Sequence, residues 1–354
     1  MSDLIEVKPI DREFHDSRLR DFLPGNIIDV HTHVWVDAGG DASAGTAERV
    51  VSWPSRVARD NPIGDLLETY RLLLPGRAVT PVIFSSPTAG GDLDALNGYA
   101  AGRAREHALP ALLLTRPEWS AGELEERIAG GGFLGVKPYL SFAPAYIPAN
   151  EIRVFDFLPP HQLAALHRLG LIAMLHVPRP GRLRDPVNLA QMLEIEQRFP
   201  RVKLIIAHVG RAYCAEDVGN AFDVLARTEL MSFDISANTN EEVFRRLIQA
   251  AGPRRIMFGS DMPILRMRMR RICEGGRYVN LVPRGMYGDV SDDPHIREVA
   301  GAEAARLTFF LYEEIDAFRR AAEAEGLTRG DVADVFHNNA RRMIDSIASR
   351  GLSR

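Results

Sequence analysis

Short apolar, β-rich runs alternate with longer amphipathic stretches along almost the whole chain, and that alternation is what a parallel sheet built from βα units requires. The runs are Asn26–Val34, Ala78–Ser85, Leu109–Thr115, Gly132–Tyr139, Leu171–Val177, Val202–His208, Leu230–Ile235 and Arg255–Ser260. Helices are expected between them, for example over Asp92–His107, Pro186–Phe199 and Glu241–Ala251, where apolar residues recur at the spacing of one buried stripe. Eight strands with intervening helices suit a closed α/β (β/α)8 TIM barrel. An open doubly wound sheet commonly has fewer strands and opens on a Gly-rich phosphate turn, and no such turn follows the first run.

The chain has 354 residues, more than a minimal barrel needs. The expectation is one barrel domain over 1–354, with 1–25 as an N-terminal extension and 302–354 as C-terminal helices packed outside. A break at Gly326-Leu327 and an N-cap at Thr328 separate two such helices. Extra length also falls in 37–62 and 262–301, each after the C-terminal end of a strand. Barrels build their sites on that face, so both segments are expected to shape a pocket.

A formal net charge of −4 and a pI near 6.2 exclude the basic footprint of a nucleic-acid partner. No apolar run approaches the roughly 20 residues needed to span a bilayer, and the first residues lack the basic start and apolar stretch of a signal peptide. Two cysteines, Cys214 and Cys273, are too few for a disulfide framework in a chain this long and fit a reducing compartment. A cytoplasmic protein is therefore expected. Cys214 reads as a buried small residue, and Cys273 has no histidine at the spacing a nucleophile would use.

The strongest chemical signal is Ile28-Asp29-Val30-His31-Thr32-His33. Side chains alternate along a strand, so His31 and His33 share a face and both point into the barrel near its mouth. Paired imidazoles suit zinc, iron or nickel better than magnesium or calcium. His176 closes the fifth run, His208 the sixth and Asp261 follows the eighth, so five ligand-type residues fall at strand C-termini. Any one of these histidines alone reads as a hydrogen-bonded core residue; the set reads as a metal site. His31 and Asp261 are 230 positions apart and would meet at one ion, which joins the first strand to the eighth.

The segments IIDVHTHVW, GVKPY, MLHVP, KLIIAHVGR, IMFGSDMPI and FHNNARRMI, in this order from about Ile27 to Ala340, resemble the amidohydrolase superfamily. The resemblance is to its amidohydrolase-related branch, which includes aminocarboxymuconate-semialdehyde decarboxylase-like enzymes. It implies one divalent metal, zinc first with manganese or iron(II) as alternatives, held by His31, His33, His176 and Asp261. It further implies His208 as the catalytic or second-sphere histidine. Three neutral imidazoles and one carboxylate leave such an ion a net positive charge, which lowers the pKa of a bound water towards about 7. Asp261 could then accept the water's proton and pass it to the leaving group, while His208 hydrogen-bonds the nucleophile or polarises the substrate.

Lys137, at the end of the fourth run, stands where two-metal relatives carry a carboxylated lysine. The reading favoured here is one metal and an unmodified Lys137 that pairs with a substrate carboxylate, with Tyr139 as a pocket residue. Arg211, three residues after His208, could grip a carboxylate bidentately. Many decarboxylase-like relatives have a proline soon after this histidine, whereas here the chain reads His-Val-Gly-Arg-Ala-Tyr-Cys, which weighs against carrying decarboxylation over. Arg179, Arg182 and Arg184 read as solvated loop residues, and the run Arg266-Met267-Arg268-Met269-Arg270-Arg271 as a solvated or interface segment. The expected function is hydrolysis by metal-activated water of a small, carboxylate-bearing organic substrate. A nonoxidative decarboxylase of an aromatic or unsaturated acid is the alternative, and a non-catalytic scaffold is disfavoured because all five polar residues are intact. Resemblance also makes a homodimer an expectation; no membrane or nucleic-acid partner is expected.

Overall fold

A computed structural model describes residues 4–36, 56–87 and 92–349. All eight expected strands are present: β1 Asn26–His33, β2 Ala78–Phe84, β3 Leu113–Thr115, β4 Gly135–Pro138, β5 Ile172–Leu175, β6 Lys203–Ile206, β7 Ser232–Asp234 and β8 Ile256–Met257. β1 pairs in parallel with β2, and β3 to β8 form a parallel sheet in sequence order. Backbone hydrogen bonds close the two seams. The Ile83 amide donates to Pro110 at 2.9 Å and Leu112 to Ile83 at 3.0 Å, joining β2 to the chain entering β3. Val30 donates to Phe258 at 3.0 Å, Asp261 to His31 at 2.8 Å and His33 to Met262 at 2.9 Å, joining β1 to β8 and the residues after it. The result is a TIM barrel whose strand ends carry the histidines on one face.

The helices start where the sequence supplies acceptors for their unpaired amides. Asp92, Asp185 and Asn240 accept from the first turns of Leu93–His107, Pro186–Arg198 and Glu241–Ala251. Ser120 and Glu123 cap Ala121–Gly131 reciprocally. Glu241–Ala251 buries Val243, Phe244, Leu247 and Ile248, the i, i+1, i+4, i+5 stripe expected of it. Strand β8 comes so close to β1 that a Cβ on Gly259 would lie 2.9 Å from the His31 Cβ, so the mouth of the barrel needs glycine there. The C-terminal helices include Phe310–Ala324 and Asn339–Ala348, with Thr328 capping the segment between them.

The 262–301 segment departs from its reading as a loop. It holds a second sheet, in which β10 Arg277–Pro283 pairs antiparallel with β9 Arg270–Glu274 and parallel with β11 Ile296–Val299. This sheet has its own apolar cluster of Val279, Leu281, Val299 and Leu307. Within the Arg/Met run, Arg266, Met267, Arg268, Met269 and Arg271 are buried, contrary to the solvated reading. Partners explain how three guanidiniums can be buried. Arg268 donates to both Asp11 oxygens at 2.8 and 2.6 Å and to the Leu307 carbonyl at 2.6 Å. The Thr308 hydroxyl donates to Asp11 at 2.7 Å. Arg271 donates to Asn280 at 2.8 Å and lies against the rings of Tyr213, Tyr278 and Phe310, and Arg266 donates to Asn61 at 3.1 Å.

The reading of the cysteines is also corrected. Cys214 and Cys273, 59 positions apart, form a disulfide with their Cα atoms 5.9 Å apart, because β9 folds back onto the segment after β6. The bond removes the cysteine count as support for a reducing compartment. Residues 37–55 of the expected pocket loop lie outside the described residues; beyond them, Asn61 bridges antiparallel to Trp35. Among the described residues, no helix is long and apolar enough to cross a membrane.

Candidate metal centre

His31 and His33 stand on β1, and their rings lie 5.5 Å apart. The His208 ring is 4.7 Å from His31, and His176 is 5.2 Å beyond His208 in an edge-on contact. Asp261 closes the ring of residues from the β8 side: its Oδ1 is 3.1 Å from His33 Nε2 and 3.4 Å from His31 Nε2. His31, His208 and Asp261 each bring a ligand atom within 4.8 Å of the others, a group that could hold a metal ion. All five residues singled out in the sequence are thus drawn to one end of the barrel.

The hydrogen bonds on the far side of each imidazole test whether this set fits a cation. His33 Nδ1 faces the Ser85 carbonyl at 3.2 Å, His208 Nδ1 the Ser236 carbonyl at 3.1 Å, and His31 Nδ1 the Asp234 carboxylate at 3.0 Å. None of those oxygens carries a proton, so each Nδ1 must be the N–H donor and each Nε2 a bare lone pair. His31 and His33 then aim lone pairs at an ionised Asp261 oxygen, an arrangement of acceptors facing an acceptor that a cation between them resolves. His176 has a buried Nδ1 with no hydrogen-bond partner among the described residues, which leaves it uncommitted. The residues fit a divalent ion.

Burial favours the neutral imidazole that a metal requires. It pushes His31 down to about 3 and His176 well below the usual histidine range, where the positive charges of Arg211 and Lys137 act in the same direction; His208 is lowered too. Asp234 and Asp261 are buried, which alone would raise them, yet contacts with the histidines hold both below the ordinary carboxylate range.

Backbone strain marks the same place. The turn His208–Arg211 is left-handed, with φ of 56° at His208, 49° at Val209, 62° at Gly210 and 62° at Arg211, and Asp261 has φ 54°. Such conformations cost non-glycine residues on the order of 1–3 kcal/mol each and persist where surrounding bonds over-determine them. Here the bond is visible: the His208 amide donates to Asp234 Oδ1 at 2.8 Å.

Lys137, on β4, is fully buried with Nζ 5.5 Å over the Phe84 ring and 5.3 Å over Tyr139, and without a hydrogen-bond partner among the described residues. Burial lowers it to about 8 against the pull of Asp234 and Asp261. The Tyr139 hydroxyl is 3.4 Å from His33 Nδ1. Arg211 donates from Nη1 to the carbonyls of Val177 and Pro178 at 3.3 and 3.4 Å, so part of its fork is already committed to the β5 loop. Arg179 pairs with Asp185, and Arg184 donates to the Glu216 carbonyl. Arg182 is mostly buried, not solvated, and pairs with Asp217 at 2.6 Å.

Sequence reasoning missed the carboxylates that orient the site. Asp234 holds His31, His208 and the Ser236 amide at once. Asp29 accepts from the His31 amide at 3.1 Å, the Ser260 amide at 2.9 Å and the Tyr70 hydroxyl at 2.7 Å, tying β1 to β8, and burial raises it to about 7. The signal that singled out Asp261, an acid at a strand end, was present at Asp234 as well. Removing an outer partner of a ligating histidine commonly costs about 10–100-fold in metal affinity or activity. Asp234→Ala is therefore expected to weaken metal retention by that factor, read by metal analysis after dialysis against a graded chelator.

The amidohydrolase family model matches residues 28–345. The chain belongs to that family, and it is an enzyme. No curated protein matches it. Solved structures share the fold at low identity. An amidohydrolase from Burkholderia multivorans is 17% identical with a TM-score of 0.57, over 90% of this chain and 99% of its own. A probable 2-pyrone-4,6-dicarboxylic acid hydrolase from Acinetobacter baumannii is 13% identical with a TM-score of 0.54, over 90% and 99%. A dihydroxybenzoic acid decarboxylase from Polaromonas sp. JS666, solved with manganese and 2-nitroresorcinol, is 14% identical with a TM-score of 0.52, over 91% and 97%.

Proposed function

We propose that the protein is a metal-dependent hydrolase that adds water to a small, carboxylate-bearing organic substrate, with one divalent ion, zinc, held by His31, His33, His176 and Asp261. The observation that carries this is the arrangement of bare Nε2 atoms around Asp261, each fixed by a partner on its Nδ1. The ion, when bound, supplies a lowered pKa for water and a charge that polarises the substrate oxygen.

The chain's own residues do the rest. Asp261, through the oxygen other than the one that faces His33 and His31, takes a proton from the incoming water and returns it to the leaving group. His208 Nε2 accepts a hydrogen bond from that water and orients it, since its Nδ1–H is spent on Ser236. Lys137 is unmodified and meets the substrate carboxylate, which gives its buried ammonium the partner it otherwise lacks. Arg211 and Tyr139, the latter beside His33, are the further substrate contacts in this reading.

Nonoxidative decarboxylation of an aromatic or unsaturated acid is the second reading. It is favoured by the same buried lysine, which would hold a carboxylate beside the histidines, and by the fold shared with a manganese-containing decarboxylase. A panel of lactones, amides and esters set against aromatic and unsaturated acids separates the two: acid release from the first group is expected, and carbon dioxide from the second would reverse the order. A metal-stripped preparation with undiminished turnover would overturn both.

A further inference from the structure

Tyr213 follows the left-handed turn after β6, and neither the family motifs nor the chemistry above uses it. Its backbone is fixed on both sides: its amide donates to Asp217 at 3.1 Å, and its carbonyl accepts from Asn240 at 3.2 Å. The next residue, Cys214, is bonded to Cys273 on β9. Its ring is fixed as firmly. The Arg271 guanidinium lies 4.5 Å from the ring centroid and that of Arg182 5.4 Å, while Tyr278 on β10 meets it edge-on at 5.0 Å. The ring centroid is 6.5 Å from that of His208. Tyr213 thus links Arg271 and Tyr278 of the second sheet to His208.

The surroundings define what it can contact. Lys137 and Arg211 place positive charge near the histidines, and Phe84, Tyr139 and Tyr213 supply rings around them. Burial pushes the Tyr213 phenol up to about 12, against the pull of Arg271 and Arg211, so it keeps its proton and acts as a donor at neutral pH. No hydrogen bond engages its hydroxyl among the described residues.

We propose that Tyr213 is a specificity-determining residue of this site, presented by the disulfide-stapled β9–β10 strand pair, whose ring faces a planar acid substrate and whose hydroxyl donates to an oxygen substituent on it. This rests on the carboxylate-bearing substrate proposed above. A site that offers a fixed donor favours ligands bearing the matching oxygen, because the donor otherwise stays unpaired in a partly dry wall.

The test uses the zinc-loaded full chain and titration calorimetry with benzoate and its monohydroxylated forms. The wild type is expected to bind one hydroxylated form more tightly than benzoate. Tyr213→Phe, which keeps the ring, is expected to lose about tenfold for that form, about 1.4 kcal/mol, and to leave benzoate unchanged. Tyr213→Leu removes the ring and is expected to weaken all of them. Metal content and circular dichroism confirm that both variants are folded and loaded. Discrimination retained in Tyr213→Phe overturns this inference alone. Failure of the wild type to bind any planar acid overturns it together with the carboxylate-bearing substrate on which it rests.

Discussion

Asp261→Ala is expected to lower turnover by about 10^3-fold or more and to strip the protein of metal. Among the described residues, Asp261 is the one carboxylate that faces both β1 histidines, at 3.1 and 3.4 Å, and it is assigned the proton transfer as well. Losing a Lewis acid removes several kcal/mol of charge stabilisation, and each 1.36 kcal/mol is tenfold in rate. Two measurements check it: metal per chain after gel filtration, and turnover with saturating zinc added back. Asp261→Asn separates the roles, since an amide can still face an ion but cannot take up the proton. A variant that keeps both full metal and wild-type rate would remove Asp261 from the centre.

The second large effect is on stability. Arg268→Ala is expected to cost about 3–5 kcal/mol in denaturant unfolding, the usual penalty for leaving one member of a buried ion pair alone. Asp11 is completely buried and Arg268 nearly so, and they are joined by two hydrogen bonds. Asp11 would retain Thr308 and the Lys8 amide, too little to neutralise a charge out of reach of water. A double-mutant cycle with Asp11→Asn isolates the pair; single and double variants of equal stability to the wild type would show that the pair carries nothing.

These two cases show what was legible in the sequence. The barrel was, because parallel strands buried on both faces are short continuous apolar runs, and eight of them stand out against amphipathic helices. The histidines and Asp261 were, because strand ends on a barrel converge regardless of their distance in sequence. Asp234 stands at a strand end as Asp261 does, but its role in orienting the site shows only when His31 and His208 are seen on either side of it. The Arg/Met run failed for a related reason. Burial of its arginines depends on partners distant in sequence: Arg268 on Asp11, 257 positions away, and Arg266 on Asn61, 205 positions away. The disulfide likewise joins residues whose proximity depends on β9 folding back over the segment after β6.

The Asp11–Arg268 pair bears on how this chain can be shortened. The family model starts at residue 28, and a shortened chain would naturally be cut there. Asp11 lies upstream of that boundary yet pairs with the Arg268 guanidinium just before β9, so the segment around Asp11 is part of the packed structure. Expression from residue 28 would keep His31, His33, His176, His208 and Asp261 while leaving Arg268 with the same deficit as deletion of its partner. The functional unit extends upstream of the stretch recognised by its motifs.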